Sequence, residues 1–262
     1  MKPRSPSNRN ASLEKAHRLL LAFSGENPEL GVMDLARRVG LNKSTVSRFV
    51  ATLTEVGLLE RCEGNKKVRL GLRVFELGTL AVEQHPLVRR GAPILERFAA
   101  QVRETVTLLA PIEDTLLVLH RCEGGRPIPA VLPGRRYPLL PGAAGIAVLS
   151  GVEEGSNGTS FRAWENKPGI RSELVRARLL GFASSENDPE PELHSLAAPV
   201  HDRTGAVVAA LCVTAPQTRV AASSASLTTP LRRAAVEFSR RLGFHRGDPT
   251  DGETITTRAR SA

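Results

Sequence analysis

Residues 32–53 read VMDLARRVGLNKSTVSRFVATL, and the architecture of the N-terminal region turns on this stretch. A helix-turn-helix needs a small residue where its helices cross and a residue tolerant of positive φ at the turn. It also needs an apolar residue facing back from the second helix. Ala36, Gly40 and Val46 meet those needs at separations of four and six residues. Leu35, Val39, Phe49, Val50 and Leu53 complete an inward face, so the spacing predicts helices over 32–39 and 43–56 broken at Gly40. The second helix then turns Asn42, Lys43, Ser44, Thr45, Ser47 and Arg48 outward. Short hydroxyl side chains beside Lys and Arg at a helix start suit close approach to phosphates and groove edges. Ser44, Thr45, Ser47 and Arg48 are the candidate base readers, and Lys43 a candidate phosphate contact.

Working outward, residues 58–72 alternate around the turn Glu63-Gly64-Asn65-Lys66-Lys67 and read as a β-hairpin. The hairpin makes the unit a winged helix, whose tip would carry Asn65, Lys66 and Lys67 to an adjacent phosphate or minor groove. Upstream, Ser12 is a candidate N-cap for a helix bearing Leu13, Ala16, Leu19, Leu20 and Phe23, ended by Gly25 and Pro28. Residues 1–10 have the composition of a disordered basic arm, with Arg4 and Arg9 available for phosphate contacts. Downstream, helical patterns cover 74–82 and 87–102, with a domain boundary expected near Pro86.

Beyond that boundary, apolar strands alternate with irregular stretches. Residues 106–111 and 115–122 form one expected strand pair, turning at Glu113-Asp114. Residues 196–201 and 206–214 form another around Asp202-Arg203-Thr204-Gly205. Helices are expected over 145–150, 170–180 and 227–242. Residues 151–167 read as turn-rich, 184–192 as an acidic proline-bearing loop, and the polar tail from Gly247 as disordered.

The chain has 262 residues and a formal net charge of +9. Residues 1–80 hold 14 Lys+Arg against 8 Asp+Glu, a net of +6, while the remainder nets only +3. Five of the six lysines lie in that first segment, the footprint expected of a nucleic-acid module. The N-terminus has no apolar core of a secretory signal, and no apolar run approaches the ~18 residues of a membrane helix. Cys62, Cys122 and Cys212 are sixty or more residues apart, a spacing that suits neither a structural zinc site nor a disulfide framework. A reduced cytoplasm is therefore the expected compartment.

The chain resembles an IclR-type transcriptional regulator over roughly residues 11–245. The blocks that carry the resemblance are Leu35-Ala36, Gly40-Leu41, Ser44-Thr45-Val46 and Gly57-Leu58-Leu59-Glu60 in the first part, with Leu70-Gly71 and Leu77-Gly78 following. In the second they are Pro138-Leu139-Leu140-Pro141-Gly142-Ala143-Ala144-Gly145, Leu196-Ala197-Ala198-Pro199-Val200 and Gly205 to Val213. The resemblance implies an α+β chain: a winged helix-turn-helix domain over 11–72, a linker helix over 73–85, and a GAF-like α/β effector-binding and oligomerisation domain with an antiparallel sheet over 86–245. A disordered tail over 246–262 would follow. It implies a pocket built from Ala143 and Ala144, Pro199, Cys212 and Thr214. The residues themselves support part of this. Gly142–Gly145 opens a helix whose free N–H groups suit a carboxylate, and Cys212 and Thr214 share one strand face. Ile146 stands where the family usually has Lys, and 151–160 replaces an expected threonine-rich stretch. Pro189 and Pro191 leave open which of Asp188, Glu190 and Glu192 aligns with the family's pocket acid.

No nucleophile elbow, phosphate-binding loop or zinc-protease motif occurs, so no enzyme, cofactor or metal is expected. His194 and His201 are seven apart in one strand-like segment and would point to opposite faces. The reading is a cytoplasmic repressor, a homodimer or dimer of dimers with no membrane association. It would bind double-stranded DNA at a pseudo-palindromic operator and respond to a small carboxylate or aromatic effector. The alternative is a winged-helix regulator whose C-terminal domain only dimerises and binds no ligand.

Overall fold

The computed structural model describes residues 10–126, 128, 131–152 and 169–245. The expected arm, the tail from 246 and the interior of the turn-rich stretch lie outside the described residues, apart from Asn10 and the pair 151–152. The chain divides into two compact units, residues 1–83 and 84–262.

In the first unit α1 (Ala11–Leu20) is followed by β1 (Leu30–Gly31), α2 (Val32–Val39), α3 (Lys43–Glu55), β2 (Leu59–Arg61) and β3 (Lys67–Leu70). The N-cap of α1 is Asn10, whose side chain accepts from the Ser12 N–H at 3.0 Å, so the helix starts ahead of the expected Ser12 cap. It also ends at Leu20 rather than running on to Phe23. Gly40 closes α2 in the left-handed region at φ 66°, where a side chain would be strained by backbone conformation alone. Asn42 then caps α3, its Oδ1 accepting from the Thr45 N–H at 2.8 Å. Leu35, Ala36 and Val39 of α2 meet Val46, Val50 and Leu53 of α3 in a core closed by Leu19, Leu30, Leu59 and Val68.

The wing is a three-stranded sheet in the order β1-β3-β2, with Leu30 opposite Val68. The sequence pattern anticipated only the hairpin, because a two-residue strand is too short to show alternation. Next comes α4 (Leu72–Gln84), no residue of which is buried.

The second unit holds α5 (Pro86–Val102), β4 (Thr105–Ile112), β5 (Thr115–Glu123), β6 (Arg136–Pro138), α6 (Ala143–Ser150), α7 (Ile170–Leu180), β7 (Ala183–Glu186), β8 (Leu193–His201), β9 (Val207–Pro216) and α8 (Gln217–Arg241). Its strands form one antiparallel sheet in the order β6-β5-β4-β9-β8-β7. Strand alternation splits the interior into two layers. Leu108, Leu196, Val200, Leu211 and Val213 pack against Ile94, Leu95 and Phe98 of α5 and Leu231 and Phe238 of α8. Leu109, Val118, Ala197, Ala210 and Cys212 pack against α6 and against Leu174 and Ala177 of α7. Every residue of α6 is buried.

Two expectations for this unit are corrected. The acidic loop is partly strand, since 183–186 pair with 194–197 at the sheet edge. The last helix begins ten residues ahead of the expected Leu227, because 217–226 is a run of small and polar residues in which Val220 is the buried aliphatic anchor. No helix among the described residues is long and apolar enough to cross a membrane.

Candidate functional site

Two surfaces have the chemistry of a site. The first is the outer face of α3 with the wing. Asn42, Lys43, Ser44, Ser47 and Arg48 are exposed, while Thr45 is half-buried. The Ser44 hydroxyl donates to Asn42 Oδ1 at 3.0 Å, so that oxygen is consumed in capping and only the Asn42 amide N–H groups remain to meet a partner. Several cationic side chains elsewhere in this unit are already engaged. Arg69 pairs with Glu60 at 3.3 Å and Arg73 with Glu76 at 3.0 Å, while Arg38 donates to the Ala22 carbonyl at 3.1 Å and Arg18 to that of Val39. Lys43, Arg48, Lys66 and Lys67 make no ion pair among the described residues. At the wing tip Asn65 Oδ1 accepts from the Lys67 N–H at 2.8 Å, shaping a turn on which both lysines are exposed. Arg61 at the end of β2 is exposed and also unpaired among the described residues. Sequence reasoning passed over it, although a basic residue two positions before the turn was a legible signal.

The second is a cavity of about 240 Å3 between the sheet and the start of α6. Its walls include Thr107 and Leu109 of β4, Leu116 of β5, Tyr137 of β6, Gly142 and Ala144, Asp188, Ser195 of β8, and Cys212 and Thr214 of β9. No Lys, Arg or His lines it among the described residues. Of the expected pocket residues, Ala144, Cys212 and Thr214 come together here, and Ala143 stands just behind through its N–H. Pro199 does not reach the cavity. It lies opposite Ala210, and on its strand face the cavity is met four residues earlier by Ser195, opposite Thr214.

Of the three acids left open, Asp188 is the one at the cavity, while Glu190 and Glu192 are exposed. Asp188 Oδ2 accepts from the Ala143 N–H at 2.8 Å, so the first donor of α6 is already taken by a carboxylate of the chain itself. This corrects the expectation of wholly free N–H groups there. A Cβ at Gly142 would stand 2.7 Å from Asp188 Oδ1, so the approach depends on glycine. Burial raises the Asp188 pKa above its ordinary value, against the lowering effects of the Ala143 N–H and nearby His194.

A chain of side-chain hydrogen bonds lines the floor. The Ser195 hydroxyl donates to the Asp188 carbonyl at 2.8 Å and meets Thr214 Oγ1 at 2.9 Å. Thr214 Oγ1 lies 3.7 Å from the Cys212 thiol, whose pKa burial pushes up to about 12. Cys212 is thus a neutral, weakly bonding thiol rather than a nucleophile. Ser195 was missed by sequence reasoning, although the alternation that includes Pro199 also includes it. Among the described residues no cluster of His, Cys, Asp or Glu could hold a metal ion. His194 meets Ser184 at 2.7 Å, and His201 stacks on Phe244 with ring centres 4.9 Å apart.

Comparison with known proteins agrees with this arrangement. The family model for the IclR helix-turn-helix domain matches residues 12–62, and that for the bacterial transcriptional regulator IclR C-terminal domain matches residues 79–240. The HTH-type transcriptional regulator KdgR of Dickeya chrysanthemi is 30% identical over 238 residues, covering 86% of this chain and 78% of that protein. An IclR transcriptional regulator from Silicibacter sp. TM1040 has a crystal structure 28% identical in sequence, at a TM-score of 0.74, covering 90% of this chain and 97% of that one. An IclR homologue from Microbacterium hydrocarbonoxydans, crystallised with 4-hydroxybenzoate, is 25% identical at a TM-score of 0.70, covering 88% of this chain and 99% of that one.

Proposed function

The chain belongs to the IclR family of bacterial transcriptional regulators, and from that premise we propose that it is a cytoplasmic repressor that binds a pseudo-palindromic operator as a homodimer or dimer of dimers. The observation that carries the reading is the outer face of α3. There Lys43 and Arg48 are unpaired among the described residues and stand with exposed Ser44 and Ser47 on the first turns of a capped helix. Arg48 and Ser47 read base edges, while Lys43, Lys66, Lys67 and Arg61 hold phosphates. The domains are 11–72 for DNA and 86–245 for the effector, joined by a helix over 73–85. α4, which fills that range from Leu72 to Gln84, exposes Leu72, Phe75, Leu77 and Leu80, apolar surface suited to a second copy of the chain.

The effector is a small molecule in the cavity beside Asp188, and its binding lowers operator affinity. A pocket of about 240 Å3 suits a metabolite smaller than a drug-sized ligand, and the relative crystallised with 4-hydroxybenzoate makes hydroxybenzoates the first compounds to try. One observation favours a second reading, in which this domain only dimerises: the first N–H of α6 is already capped by Asp188 and needs no ligand.

The test of the DNA assignment is Arg48→Ala, read by operator binding at fixed salt. Protected DNA is first mapped for the wild type. The variant should lose about 1–3 kcal/mol on its operator and discriminate poorly against substituted sites. Unchanged affinity and unchanged sequence preference would show that α3 presents another residue to the bases.

A further inference from the structure

The buried polar groups of the cavity are nearly all engaged. Ser195, Thr214 and Cys212 bond along one chain and Asp188 caps α6, but Thr107 Oγ1 is left over. Thr107 is 1% exposed, lies in the middle of β4, and lines the cavity. Among the described residues only two buried side-chain polar atoms lack a hydrogen-bond partner, Thr107 Oγ1 and Arg121 Nε. Those two residues are directly opposite each other on β4 and β5, so they project from the same sheet face. Nη2 of Arg121 is held by the Ile128 carbonyl at 2.6 Å and by Glu123 at 2.9 Å, and the Ile128 N–H in turn donates to Thr105 at 3.2 Å. Of the two atoms left without a partner, only Thr107 Oγ1 belongs to a residue that lines the cavity. Across the ladder on the other side stands the thiol of Cys212, which draws on the Thr107 hydroxyl only weakly and makes no well-formed hydrogen bond with it.

A buried hydroxyl without a partner destabilises the empty protein, and a ligand oxygen placed against it would recover the loss. We propose that Thr107 is a specificity-determining residue that pairs with a hydroxyl of the effector, which is accordingly a small hydroxylated compound. The proposal rests on the reading of this cavity as the effector site.

The test uses the full chain, Thr107→Val, which keeps the shape and deletes the hydroxyl, and Thr107→Ser, which restores it. The probes are two pairs differing by one hydroxyl, 3-hydroxybenzoate with benzoate and glycerate with lactate, read by calorimetry and by shift in melting temperature. The expected result has three parts. Without ligand, Thr107→Val melts at or above the wild-type temperature. It binds the more hydroxylated member of a pair about tenfold more weakly, while the less hydroxylated member binds both proteins alike. Thr107→Ser recovers the preference. A lower melting temperature for unliganded Thr107→Val would mean that the hydroxyl serves a structural water or the Cys212 thiol, and would overturn the proposal. Equal binding of the hydroxylated probe to wild type and Thr107→Val would overturn it while leaving the effector site standing. A wild type shifted by none of the four probes would count against the effector reading itself, and the assignment of Thr107 would fall with it.

Discussion

Asp188 is a carboxylate drawn partly out of water and set against the first N–H of α6. Its pKa is raised because desolvation outweighs the help of the Ala143 N–H and of His194. A carboxyl whose folded pKa lies above its unfolded value stabilises the fold at pH below the unfolded value, and loses that contribution as pH rises through the folded one. Relative to Asp188→Asn, which can still accept from Ala143, the wild type should therefore lose stability as pH climbs from about 4 upward. Melting curves of both proteins across that range check it, and a difference that stays flat with pH would mean that Asp188 is not desolvated in solution. The identity of this acid was not legible in the sequence. Pro189 and Pro191 break any alternation from which Asp188, Glu190 and Glu192 could be told apart, and only the packing of 188 against the start of α6 sets it at the cavity. Thr107 was legible in principle as a polar residue inside an apolar strand, but its lack of a partner is a property of three strands together.

At the scale of elements, local chemistry accounts for what the sequence revealed. Asn42 caps α3 and Gly40 closes α2 within a few residues of the side chains that made them predictable, so 32–39 and 170–180 were readable to the residue. What was hidden depends on distant partners. The strand 30–31 exists because β3 offers it an edge, and the first turns of α8 because the sheet and α5 cover Val220 and Leu227. The wing yields a prediction of its own. Lys66 is exposed and unpaired among the described residues, and Asn65 shapes the turn that carries it. Lys66→Ala should weaken binding to operator and to unrelated DNA by similar factors, and should reduce the slope of log K against log salt by about 1. Titrations at several salt concentrations measure both quantities. Loss confined to the operator would instead make Lys66 a base reader.

For the whole molecule, the question is what occupies the apolar face of α4. Leu72 and Phe75 are each 72% exposed, and Leu77 and Leu80 are more than half exposed, on a helix with no buried residue. A helix of this kind gains most of its stability from packing, so in isolation it would be marginal at thirteen residues. In the proposed dimer a second copy of α4 would supply the missing surface and at the same time link two DNA-binding units. Linkage converts the second half-site contact into an intramolecular step, which is worth about 10²–10⁴ in affinity without any new contact to DNA. Phe75→Glu places a charge in that seam and should leave α3 untouched. The variant is expected to run as a smaller species in light scattering and to lose about a hundredfold in affinity for a full palindrome. Its affinity for a single half-site should match that of the wild type. The pattern of losses separates the alternatives. Equal loss on full and half sites would mean that the DNA-binding unit itself had been damaged. An undiminished dimer with full affinity would mean that the chains associate elsewhere, and the exposed face of α4 would then need another partner.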